Sequence, residues 1–127
     1  MSYRLSVRDG FAAAHRLVGS GGKCEALHGH NFRVTLRVVG QNLDEAGMLV
    51  DFGRLKGVLK EIIGQLDHSD LNSHPAFTKD SPSSENIARF IWKLAEERLS
   101  VEGVEVESVT VSESETASAT YEPGRGR

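Results

Sequence analysis

The feature that most constrains this chain is the run 31–39, where Phe32, Val34, Leu36 and Val38 alternate without a break with Arg33, Thr35 and Arg37. A period of two fits a strand with one face buried and the other wet, and fits no helix. His28-Gly29-His30 stands directly before this run in the same phase. Its two imidazoles therefore project from one face, close enough to chelate, while Gly29 between them leaves room for backbone or ligand to approach.

The rest of the chain reads around that strand. Tyr3, Leu5 and Val7 alternate with polar residues, and a second apolar stretch from Phe11 to His15 follows Asp9-Gly10, which predicts a strand bent or bulged at Gly10. Three glycines within residues 18–23 predict a loop delivering the chain to Cys24. Asp51 is an N-cap candidate for a helix over 52–66, with Phe52, Leu55, Leu59, Ile62 and Leu66 on its apolar face. Ser81-Pro82 or Ser83 opens a second helix, striped by Ile87, Ile91, Leu94 and Leu99 and ending near Gly103. Val104, Val106, Val109 and Val111 form a further strand whose alternation slips at Ser108, and 117–121 form a last one. This order predicts an α+β domain with antiparallel pairing and both helices on one face. Val39, Ala13 and Ala119 are expected on the opposite face, which oligomerisation or closure into a barrel would cover.

At 127 residues the chain fits one domain, expected over 1–122, with a disordered tail over 123–127. The formal charge of −3 and the scattered Lys and Arg residues form no basic stripe, which argues against a nucleic-acid partner. No apolar run has the length of a signal peptide or a membrane span, so a cytosolic protein with no membrane partner is expected. Cys24 is the only cysteine, so it is a reduced core thiol, a metal ligand or a reactive group.

His15, ending an earlier strand, is the natural third partner of His28 and His30. Three neutral imidazoles bind zinc tetrahedrally with the fourth position open, the arrangement of catalytic sites. Cys24 lies four residues before His28, where a nearby cation would favour the thiolate and make it a proton acceptor. An inert thiol, or a fourth ligand closing the site, are the other readings. Asp67-His68 places an acid beside a histidine after the first helix; it can join the thiol in a proton relay, or His68 can simply face the helix dipole. Glu113 ends an apolar strand, where a carboxylate can accept two parallel N–H bonds from the guanidine-like edge of a pterin or guanine, or remain a solvated acid like Glu115.

Phe11-Ala12-Ala13-Ala14-His15, Cys24 with three residues before His28-Gly29-His30, Val50-Asp51-Phe52, Leu66-Asp67-His68, Leu71-Asn72, Ser83-Ser84-Glu85-Asn86, and Glu113 eight residues before Tyr121 together resemble the 6-pyruvoyltetrahydropterin synthase family. The cysteine spacing and short chain look most like its 6-carboxy-5,6,7,8-tetrahydropterin synthase branch, of the queuosine pathway. The resemblance implies the tunnelling fold, a four-stranded antiparallel sheet with two helices. Its trimers close a barrel and pair as homo-hexamers, with active sites between subunits. It implies Zn2+ on His15, His28 and His30, Cys24 as proton acceptor with Asp67 and His68 as relay, and Glu113 as the anchor of a small-molecule pterin substrate. The implied reaction converts 7,8-dihydroneopterin triphosphate to 6-carboxytetrahydropterin, acetaldehyde and triphosphate. Arg16, Lys23 and Lys79 are candidate phosphate contacts. Ser112-Glu113-Ser114-Glu115 and Ser118 depart from the family pattern, with an extra acid at 115 that could repel phosphate. The alternatives are the pyruvoyl product on the same fold, cleavage of dihydroneopterin lacking the triphosphate, and a non-catalytic zinc module closed by Cys24.

Overall fold

A computed structural model describes residues 2–124. The expected tail falls partly within it: residues 123 and 124 belong to no regular element, and 125–127 lie outside the described residues. The elements run β1 (Tyr3–His15), β2 (His28–Gly40), α1 (Phe52–Ile63), β3 (Ser69–Asp70), α2 (Ser84–Leu99), β4 (Glu105–Ser112) and β5 (Ser118–Tyr121), with single 3-10 turns between several of them. The sheet order is β3-β1-β2-β4-β5. The four long strands are antiparallel neighbours, as expected, and the two-residue β3 adds a parallel edge against Ala13 and Ala14.

The alternation of 31–39 decides which face is covered. Phe32, Val34, Leu36 and Val38 are at most 1% exposed, and the α1 residues Leu55, Leu59 and Ile62 and the α2 residues Ile87, Ile91 and Leu99 are fully buried with them. Each such side chain contributes about 1.5–3 kcal/mol relative to exposure, so the helices are held by their apolar stripes. Both helix starts have side-chain caps: the Asp51 carboxylate accepts from Gly53 N at 2.6 Å, and Ser83 Oγ accepts from Asn86 N at 3.2 Å.

Four details differ from the sequence reading. β1 is unbroken through Gly10, with Asp9 opposite Val34 and Gly10 opposite Arg33. The glycine serves close approach instead, because a Cβ there would stand 2.9 Å from the Phe32 carbonyl oxygen. Gly10→Ala is accordingly expected to cost about 1–3 kcal/mol, read as a lower urea midpoint at unchanged m-value. α1 stops at Ile63, and Gly64 leads into turns through Asp67. The slip in β4 falls at Glu107, the bulged residue, since Arg37 faces Ser108 while Val38 faces Val106. Ala13 and Ala119 lie on the helix-covered face, paired with His30 and Val111 respectively; of the three residues expected on the open face only Val39 is there. Ala12 and Ala14 join it there, and the rest of that face is largely polar, with Arg37 Nη1 donating to Thr110 Oγ1 at 2.8 Å.

Candidate active site and metal centre

Antiparallel pairing sets His15 directly opposite His28, and Ala13 opposite His30. Residues opposite each other share a face, so all three imidazoles point to the side that carries the core. Their ring centroids are 4.5 Å (His15 to His28), 5.1 Å (His15 to His30) and 4.9 Å (His28 to His30) apart. One nitrogen from each lies within 4.8 Å of the others, a group that could hold a metal ion. Phe32 closes the floor, with its ring edge-on to His15 at 5.4 Å and to His30 at 5.3 Å.

The donor set fits a cation. His15 Nδ1 is 2.7 Å from the Pro82 carbonyl and His28 Nδ1 is 2.8 Å from the Ala26 carbonyl. A carbonyl can only accept, so each Nδ1 carries the hydrogen and each Nε2 keeps its lone pair, the arrangement in which histidine binds metals. The buried Nε2 atoms of His15 and His30 have no hydrogen-bond partner. Two unpartnered ring nitrogens buried side by side, the His15 one with its lone pair free, are costly unless something electropositive takes them. Burial, first, pushes the His15 imidazole below its usual pKa, and neighbouring His28 and His30 push the same way against the Pro82 carbonyl. A ring kept neutral is the form a ligand needs.

Glu113 stands beside this group. Its Oε1 accepts from the buried Ser84 hydroxyl at 2.9 Å, and its Oε2 lies 3.9 Å from His30 Nε2. α2 thus positions the end of β4, and the carboxylate still has lone pairs to offer a ligand. Pro82, Ala26 and Ser84 were not singled out in the sequence as orienting groups. The two carbonyls have no sequence signal, whereas Ser84 stands within the Ser-Ser-Glu-Asn motif that opens α2.

Cys24 and the Asp67–His68 pair are not joined within one chain. Cys24 is exposed in the 3-10 turn Lys23–Glu25; its carbonyl accepts from Leu17 N at 2.7 Å, and its thiol bonds neither Asp67 nor His68. The metal-type group consists of the three histidines without its sulfur. Asp67 and His68 instead clasp β1: Asp67 Oδ1 accepts from Ala12 N at 2.9 Å, and His68 N donates to the Ala12 carbonyl at 2.6 Å. Asp67 Oδ2 lies 3.0 Å from His68 Nδ1. The Ala12 N–H, first, and then His68 hold the Asp67 carboxyl below the usual carboxylate range. His68 takes φ of 56°, a left-handed conformation that costs on the order of 1 kcal/mol in a residue with a Cβ and is retained here by those bonds. His68 lines a cavity of about 510 Å³ together with His30, Ala12, Ala13, Ala14, Asn31 and Ser69, so one of the three histidines and the Asp67–His68 turn border the same space.

An antiparallel sheet backed by two helices, with three histidines gathered where its two central strands begin and end, defines an α+β domain built around a metal-type centre. The family model of 6-pyruvoyl tetrahydropterin synthase matches residues 4–124, and the chain belongs to that family. It is 40% identical to a 6-carboxy-5,6,7,8-tetrahydropterin synthase of Synechocystis, over 87% of this chain and 86% of that one. It is 33% identical to the Bacillus subtilis protein of the same name, over 98% and 88%. Its fold superposes on the Caenorhabditis elegans 6-pyruvoyl tetrahydropterin synthase with a TM-score of 0.86, at 25% identity over 98% and 97% of the chains. No helix among the described residues is long and apolar enough to cross a membrane.

Proposed function

We propose that the chain is a zinc-dependent 6-carboxy-5,6,7,8-tetrahydropterin synthase. It takes 7,8-dihydroneopterin triphosphate and one water to 6-carboxytetrahydropterin, acetaldehyde and triphosphate, in the formation of queuosine and related 7-deazapurines. The observation that carries this is the pair of orphaned Nε2 atoms on His15 and His30, in a chain whose nearly full-length relatives bear that enzyme's name. His15, His28 and His30 would hold the zinc, which when bound acts as a Lewis acid toward the oxygens of the substrate side chain.

The protein's own groups do the rest. Glu113, steadied by Ser84, accepts the paired N–H donors of the pterin edge and sets the ring beside His30. Cys24 takes a proton from the side chain, and Asp67 with His68 relays it. Within one chain the exposed Cys24 makes no hydrogen bond to Asp67 or His68, which supports a site completed by a neighbouring copy in a hexamer of paired trimers. A cytosolic location belongs to the same reading, in keeping with a lone reduced thiol.

Glu113→Gln is expected to raise the KM for the pterin about 10- to 100-fold, the worth of one charge-assisted pair, with zinc content unchanged. The function itself is tested by incubating zinc-loaded protein with 7,8-dihydroneopterin triphosphate and weighing the pterin formed. A product shortened by two side-chain carbons, with acetaldehyde alongside, supports the reading. A three-carbon diketo side chain assigns the pyruvoyl reaction instead.

A further inference from the structure

Resting on that reading of the substrate, we infer that the cavity lined by Arg16, Lys79, Thr78, Ser81, Asn72 and Phe77 is the subsite that receives the triphosphate. The cavity measures about 560 Å³. It abuts the metal-type centre through two single peptide steps: Arg16 follows the ligand His15, and Ser81 precedes Pro82, whose carbonyl holds His15 Nδ1.

The Arg16 backbone is fixed from both sides by one amide, since Arg16 N donates to Asn72 Oδ1 at 2.9 Å and Asn72 Nδ2 donates to the Arg16 carbonyl at 3.0 Å. The guanidinium of Arg16 and the ammonium of Lys79 have no ion pair among the described residues, and no carboxylate lines the cavity with them. The adjoining acid Asp80 is turned to Arg89 at 3.7 Å, and Asp70 accepts from Asn72 N at 3.0 Å. Two uncompensated cations with the Ser81 hydroxyl in a concave wall suit a multiply charged oxyanion, which Arg binds through its fork and Lys as a point charge; the Thr78 hydroxyl already donates to the Pro75 carbonyl at 3.1 Å.

The proposed subsite is separate from the pterin anchor, as a substrate with its phosphates at the far end of the side chain requires. Glu113 lies 3.9 Å from His30, and Arg16 follows His15 in the chain without sharing a contact with Glu113. A ring held at Glu113 places its side chain across the histidines and its phosphates toward Arg16 and Lys79. Lys23, the third cation raised from the sequence, does not line this cavity.

Isothermal titration of inorganic triphosphate into zinc-loaded and metal-stripped protein tests the assignment, the stripped form removing any chelation of zinc by the titrant. Arg16→Gln and Lys79→Gln are each expected to weaken binding about tenfold in both forms, with the change shrinking at high salt. Arg8→Gln, on the open face of the sheet, serves as the control and should leave it unchanged. In turnover the two variants should raise KM for 7,8-dihydroneopterin triphosphate by a similar factor, with kcat within about twofold. Variants that bind triphosphate like wild type, or that keep the wild-type KM in an enzyme that does turn over, overturn the subsite. Weakened triphosphate binding in the variants of a protein that shows no turnover would uphold the subsite and remove the proposed reaction.

Discussion

His28→Ala is expected to stay folded and to lose both metal and turnover. Of the three histidines it is the cleanest to remove: His15 is fully buried against Phe32, so its truncation would also open a core cavity, whereas His28 is only partly buried at the start of β2. Losing one of three protein ligands should weaken zinc binding by more than about 100-fold, beyond the 10- to 100-fold that supporting groups alone provide. Urea stability of the metal-free variant should stay within about 1 kcal/mol of metal-free wild type. Zinc retained after dialysis against a weak chelator, measured with the urea transition, separates loss of ligand from loss of fold.

Cys24→Ala carries the second large effect and has the opposite signature. The thiol is exposed and makes no hydrogen bond to the other relay candidates, so its removal should leave zinc content and stability at wild-type levels. Turnover should fall by about 10²- to 10⁴-fold, the usual contribution of a positioned acid or base. Zinc lost along with activity would instead make Cys24 a ligand, and the chain a closed zinc module. Conversely, a variant that keeps both metal and full turnover would remove the thiol from the chemistry.

What could be read in the sequence was whatever rests on local periodicity. The phase of 31–39 fixed the buried face of β2 and, through His28-Gly29-His30, the direction of two imidazoles. Asp51 and Ser83 marked the helix starts because capping is a bond to an amide two or three residues on. The role of Gly10 lies across the strand pair, at the Phe32 carbonyl, and local pattern shows a glycine in a strand without saying what approaches it. A break at Gly10 shifts the phase of Ala13 to the open face, whereas the unbroken strand turns it to the core. The Pro82 carbonyl that orients His15 is 67 residues away and offers only backbone, which no side-chain motif announces. Residue types named Arg16 and Lys79 as phosphate candidates, but only the fold put them in one cavity and left Lys23 out.

The most direct measurement is the zinc K-edge absorption spectrum of the loaded protein. The account predicts a first shell of nitrogen and oxygen alone, at about 2.0–2.1 Å, with three imidazole scattering patterns and one exchangeable oxygen. A sulfur at about 2.3 Å from the zinc would contradict it, because a thiolate in that place leaves none for substrate.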